Sequence, residues 1–216
     1  MSSAQSLSSA AAWLRELSHG QRARLAVVRR RADGRQLALV DAVGRRVHTL
    51  RPLEQLVADL ASGEAELCEH NPHANGPGVR LRNESFTRLC WLVGARLGRD
   101  VGLAPWLDTT TSYRLLSWPD FGEIGEDAEA TRLFAVIAKR ELGIAAMVDV
   151  VQLPQRTVHQ LINSLSLCGL LASGPVSRRR TSGAHRASTG GPSQAQPSGA
   201  FGQALRHLWR RVFRRV

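Results

Sequence analysis

The sequence predicts an α+β protein, and three observations carry that expectation. Two short β-rich runs flank an Asp33-Gly34 pair, and apolar residues recur at helical spacing in several later stretches. The balance of 43% hydrophobic to 22% charged residues is that of a chain with a packed core.

Taken in order, Ser9 to Leu17 reads as a short helix with Trp13 and Leu17 on one face, inside an N-terminal segment of residues 1–19. RARLAVVRRR and RQLALVD then frame the Asp33-Gly34 turn as a β-hairpin, and RRVHTL supplies a third strand after Gly44. Pro52 opens a helix, PLEQLVADLAS, whose buried stripe is Leu53, Leu56, Val57 and Leu60. Gly63 ends it, and AELCEH returns as a strand. NPHANGPG is a loop by its breakers. ESFTRLCWLVGARLG is a helix carrying Phe86, Leu89, Cys90, Leu92, Val93 and Leu97. Residues 20–103 are thus a small α+β domain with a basic hairpin, since 20–51 holds nine arginines against Asp33 and Asp41. These arginines are expected on the solvent face of a half-exposed sheet.

From residue 104 the pattern changes to short helices, giving a mainly helical domain over 104–172. TSYRLLSW is a strand or extended lead-in, and Glu126 and Asp127 mark a helix start, where the dipole favours acids. Leu133, Phe134, Ile137, Ala138 and Leu142 form a stripe that Gly143 closes. GIAAMVDVVQLPQRTVHQLINSLSLCGLL then supplies a second short helix, a break at Leu153-Pro154, and a third helix with Val158, Leu161, Ile162 and Leu165 inward.

The order of short helix, tight break, third helix LPQRTVHQLINSL and closing Gly169-Leu170-Leu171 resembles the winged helix-turn-helix superfamily over about residues 126–172. The resemblance implies a recognition helix at 155–166 with Gln155, Arg156, Thr157, His159, Gln160 and Asn163 facing outward, residue types that can read base edges. It also implies a two-stranded wing after Leu171, whose strands the sequence lacks or keeps very short.

Charge is spread unevenly. Residues 1–103 hold 15 arginines against 10 acids, residues 104–172 hold 4 arginines and Lys139 against 8 acids, and residues 173–216 hold 9 arginines and no acid. The region resembling a DNA reader is therefore net acidic, whereas specific DNA binding draws on many phosphate contacts. A protein-docking role fits that region better than DNA binding, which is the alternative.

Residues 173–200, rich in Ser, Gly, Pro and Arg without apolar periodicity, read as a disordered linker. FGQALRHLWRRVFRRV follows as a cationic amphipathic helix over 201–216. Phe201, Leu205, Leu208, Trp209, Val212, Phe213 and Val216 share one side, and Arg206, Arg210, Arg211, Arg214 and Arg215 crowd the other. A nucleic acid needs only the arginines. An anionic membrane surface or an acidic protein groove uses both sides, with ~1.5–3 kcal/mol from each large buried side chain and ~1 kcal/mol from each arginine near anionic lipid.

No phosphate-binding loop, nucleophile elbow or zinc-protease motif is present, so no enzyme and no cofactor is expected. Cys68, His70, His73 and Cys90 offer zinc-ligand types at a spacing that matches no common structural site, so no metal is expected. Asp120, Glu123, Glu126, Asp127 and Glu129 read as solvated charges of a loop and a helix start. Three widely spaced cysteines, no basic leader and no apolar run of membrane length point to a cytoplasmic protein, peripheral at the inner face of the membrane through its tail. The sequence thus points to a non-enzymatic regulator or adaptor, with a DNA-binding transcriptional regulator as the alternative.

Overall fold

The structure is a computed structural model that describes residues 2–21, 25–70 and 81–175. Every described residue belongs to one compact unit, Met1–Arg178. The linker expected over 173–200, apart from residues 173–175, and the helix expected over 201–216 lie outside the described residues. The fold is α+β.

Helix α1 (Ser3–Ser18) starts earlier than its Trp13–Leu17 face suggests, because Ser2 caps it by accepting the Gln5 N–H. Its buried stripe is Leu7, Ala10, Ala11, Leu14 and Leu17. Three strands follow as an antiparallel meander: β1 (Leu25–Arg30), β2 (Gln36–Asp41) and β3 (Arg46–Thr49). Helix α2 (Leu53–Ser62) buries the expected Leu53, Leu56, Val57 and Leu60 and stops at Gly63, whose φ of +83° favours glycine. Strand β4 (Ala65–Glu69) pairs with β1. Strand β5 (Arg82–Ser85) pairs with β3, completing a five-stranded sheet of order β4-β1-β2-β3-β5. Ser85 then caps helix α3 (Phe86–Asp100) by accepting the Arg88 N–H.

One face of this sheet, with Ala26, Val28, Ala38, Val40 and Val47, packs under the three helices in a single core cluster. Alternation places Val27, Arg29, Leu39, Asp41, Arg46 and His48 on the opposite face. There Arg29 lies opposite Glu66, and Arg46 opposite Asp41, as cross-strand pairs of opposite charge. Half-buried Arg29 and exposed Arg46 are the two strand arginines that alternation places on this face.

The second core cluster forms around strand β6 (Thr111–Leu115), helix α4 (Phe121–Ile124), helix α5 (Ala128–Ile137), strand β7 (Leu142–Gly143), helix α6 (Ile144–Val151), helix α7 (Gln155–Leu167) and strand β8 (Leu171–Pro175). The three strands form an antiparallel sheet of order β7-β6-β8. Fully buried Tyr113 anchors β6: its hydroxyl donates to the Asp108 carbonyl and accepts the Asp108 N–H, each at 2.7 Å.

Two expectations are corrected here. Helix α5 stops at Ile137, so Ala138 is exposed and Leu142 belongs to β7; the polar run Lys139-Arg140-Glu141 turns the chain out of the helix, and Leu142 pairs with Tyr113 instead. Residues 173–175 are not linker but the end of β8, whose backbone completes the sheet by pairing with β6 from Leu171↔Leu115 to Pro175↔Thr111. A five-residue strand therefore stands where wing strands were expected to be missing or very short.

Candidate functional site

Helix α7 carries the side chains that the sequence singles out, and its neighbours decide which of them reach solvent. Helix α3 runs against it at backbone contact. A Cβ on Gly94 would lie 2.5 Å from Ser164 Cα, and one on Gly98 would lie 2.5 Å from Gln160 Cα. Neither helix backbone can yield that much inside a packed core, so the contact requires glycine at both positions. Ser164, fully buried, donates from Oγ to the Trp91 carbonyl at 2.9 Å and ties the helices together.

The segment between α3 and β6 covers the adjoining strip of α7. Asn163 Oδ1 accepts the Ala104 N–H at 3.0 Å, and its Nδ2 donates to the Gly102 carbonyl at 2.8 Å. Trp106 Nε1 donates to Ser166 Oγ at 3.0 Å, while the Arg15 guanidinium stacks over the Trp106 ring. At the other end of α7, Arg156 Nε donates to the Arg99 carbonyl at 3.0 Å, so this cation helps to close the C-terminus of α3.

Asn163 therefore does not face outward as expected; it is 0% exposed and serves as a bracket for the crossing segment. The physical reason is that α7 has two buried faces. Val158, Leu161, Ile162 and Leu165 fill the second core, whereas Asn163, Ser164, Ser166 and Leu167 are buried on the remaining face. Of the other predicted residues, Gln155 and Arg156 are exposed, and Thr157, His159 and Gln160 are half-buried. Gln155 Nε2 and His159 Nε2 lie 3.3 Å apart. Burial holds the His159 imidazole below its usual range and so favours its neutral form at neutral pH. Arg156 is then the only charged residue left on the proposed reading helix.

The sequence carried a signal for this burial that the helix-turn-helix pattern overshadowed. Gly94-Ala95-Arg96-Leu97-Gly98 is a G-x-x-x-G step, which aligns two glycines on one helix face and permits close helix approach.

Among the described residues, the cysteines and histidines form no shared site. Cys68 donates from Sγ to the Val27 carbonyl at 3.7 Å on the sheet, while Cys90 lies in the first core with Sγ 3.7 Å from Ser18 Oγ. Burial pushes the Cys90 thiol up to about 12 and raises Cys168 well above the ordinary range, so both stay protonated. His73 lies outside the described residues. Among the described residues, no group of three or more His, Cys, Asp and Glu side chains converges. Of the acids, Asp120 and Asp127 cap α4 and α5 by accepting the Gly122 and Glu129 N–H groups, both at 2.9 Å.

Beside those acids lies a cluster that sequence reasoning did not single out. Trp118 packs on Phe121 and, edge-on, on buried Phe134, at centroid distances of 6.2 Å in both cases. Trp91 meets Phe134 edge-on at 6.1 Å. Trp118 remains 43% exposed, and Phe121, Ile124 and Trp91 are half-buried. An aromatic patch therefore opens to solvent between α3, α4 and α5.

No helix among the described residues is long and apolar enough to cross a membrane. No family model matches this chain, and no curated protein or solved structure matches it either.

Proposed function

We propose that this chain is a non-enzymatic cytoplasmic regulator or adaptor. Its winged-helix-like module, about residues 126–172, makes contacts with protein, and its C-terminal segment, residues 201–216, binds an anionic membrane surface or an acidic protein groove. The order α5, α6, α7 beside the β7-β6-β8 sheet supports the winged-helix-like assignment. The observation that carries the choice of protein over DNA is the cover on α7. A recognition helix must offer its outer face to the major groove, and here that face holds Gly94, Gly98 and the segment bracketed by Asn163. The net acidic charge of residues 104–172 opposes phosphate contacts as well.

For the tail, the support is the pairing of an apolar stripe with five arginines in sixteen residues that hold no acid. The test compares full-length protein on duplex DNA and on anionic vesicles at physiological salt. Vesicle co-sedimentation that Trp209→Ser with Phe213→Ser abolishes is the expected result, with no DNA shift. A sequence-selective DNA complex that depends on Gln155 and Arg156 would instead establish the transcriptional-regulator alternative.

A further inference from the structure

We infer that the patch of Trp118, Phe121 and Trp91 is the docking surface of the module, and that its occupant is a basic amphipathic helix of a partner protein. The inference rests on the protein-contact reading above and specifies the surface and the partner's chemistry.

Two independent features meet at this surface. The first is apolar: a tryptophan left 43% exposed is held in place by Phe121 and by fully buried Phe134. Such a ring is a pre-ordered anchor that loses little rotamer freedom on binding, and aromatic side chains of this kind dominate interface energetics. The second is electrostatic. Residues 115–131 contain Asp120, Glu123, Glu126, Asp127 and Glu129 and neither lysine nor arginine. None of the five joins an ion pair with a described residue. Several acids elsewhere in the unit do have a cation partner, as Asp33 has Arg30, Asp59 has Arg51, Glu66 has Arg31 and Glu54 has Arg88.

An apolar centre with an unpaired acidic rim complements a helix that carries a large apolar side chain on one face and arginine or lysine beside it. An acidic or purely polar partner would leave the rim charges repelled and Trp118 wet.

The probe is a fluorescein-labelled synthetic peptide with leucine and tryptophan at helical spacing and arginine on the other face, titrated against the full-length protein. Two controls accompany it: the same composition scrambled so that the apolar residues share no face, and the same stripe with glutamate for arginine. Both controls are expected to bind about tenfold more weakly or not at all. Trp118→Ser is expected to lose about tenfold in affinity. Glu123→Gln with Glu126→Gln and Glu129→Gln, which leaves the aromatic packing alone, is expected to weaken binding and flatten its salt dependence. A thermal melt of each variant separates loss of the surface from loss of the fold.

Equal binding of the scrambled or glutamate peptide, wild-type affinity in both variants, or no binding of the basic peptide would overturn the inference. DNA binding through Gln155 and Arg156 would sink the parent reading instead, and that outcome is read in a separate assay.

Discussion

The solvent face of the first sheet and the seam between α3 and α7 stand at opposite ends of one scale. The sheet face is conspicuous in the sequence, with its arginines in a short hairpin, yet its charges meet as exposed pairs such as Arg31–Glu66 at 3.0 Å, with side chains 40% and 44% exposed. Pairs of that kind contribute about 0–1 kcal/mol. The seam holds glycine, serine and asparagine, residues of little apparent consequence in a sequence, and there the contact is backbone to backbone with every bracketed polar group paired. Prominence of charge and weight in the fold are thus inversely placed in this molecule.

The comparison breaks most readily at the glycines. Gly94→Val or Gly98→Val is expected to cost about 3 kcal/mol or more, because the new side chain must displace a helix backbone. A urea midpoint within error of the wild type for either variant would show that the seam is looser than its geometry. Next is Asn163→Leu, which strands the Ala104 N–H and the Gly102 carbonyl in a buried strip. About 2–3 kcal/mol is the expected loss, with an unchanged denaturant slope.

A third effect is pH-dependent. Burial raises Cys90 from 9.0 to about 12, so the unfolded chain releases this proton first, and stability declines as pH climbs from 9.0 toward 12. By pH 10 the loss is about 1.4 kcal/mol from this thiol. Cys90→Ala should make that alkaline decline shallower in chemical denaturation, and an equally steep decline would assign it to other groups. Smallest of all, Arg31→Ala or Arg88→Ala is expected to shift stability by less than about 0.5 kcal/mol. A loss above 2 kcal/mol in Arg31→Ala would place the sheet face and the seam on the same footing.

Much of the first region was legible because its signals are local. Asp33-Gly34 marked the hairpin, and Leu53, Leu56, Val57 and Leu60 marked α2 and its buried side. Strand β5 was not legible: Arg-Asn-Glu-Ser has no apolar alternation and exists as a strand because β3 offers it a backbone edge. Strand β8 escaped for a similar reason, since Ala172-Ser173-Gly174-Pro175 has the same small and polar composition as the sequence that follows it. At the candidate site, the outward face of α7 was derived from one helix pattern alone. A second helix packed against that face is a long-range fact, and only the glycine spacing in α3 hinted at it. The Trp118 patch depends on Trp91 of α3, Trp118 of the α4 lead-in and Phe121 of α4 all meeting Phe134 of α5, which no single window of sequence displays.

The seam also governs the order in which the molecule can be completed during synthesis. The first core cluster consists of residues between Leu7 and Ala104, with two additions from the end of α7, Leu167 and Cys168. A nascent chain that has just finished α3 therefore carries three helices and five strands with part of their apolar surface still uncovered, and the glycine face of α3 has nothing to meet. Closure must wait for some sixty further residues, about 3–12 s at translation rates of ~5–20 residues per second. Such long-range pairing slows folding and leaves a sticky intermediate. The interval between α3 and α7 on the ribosome is accordingly the stage at which this protein has most need of a chaperone.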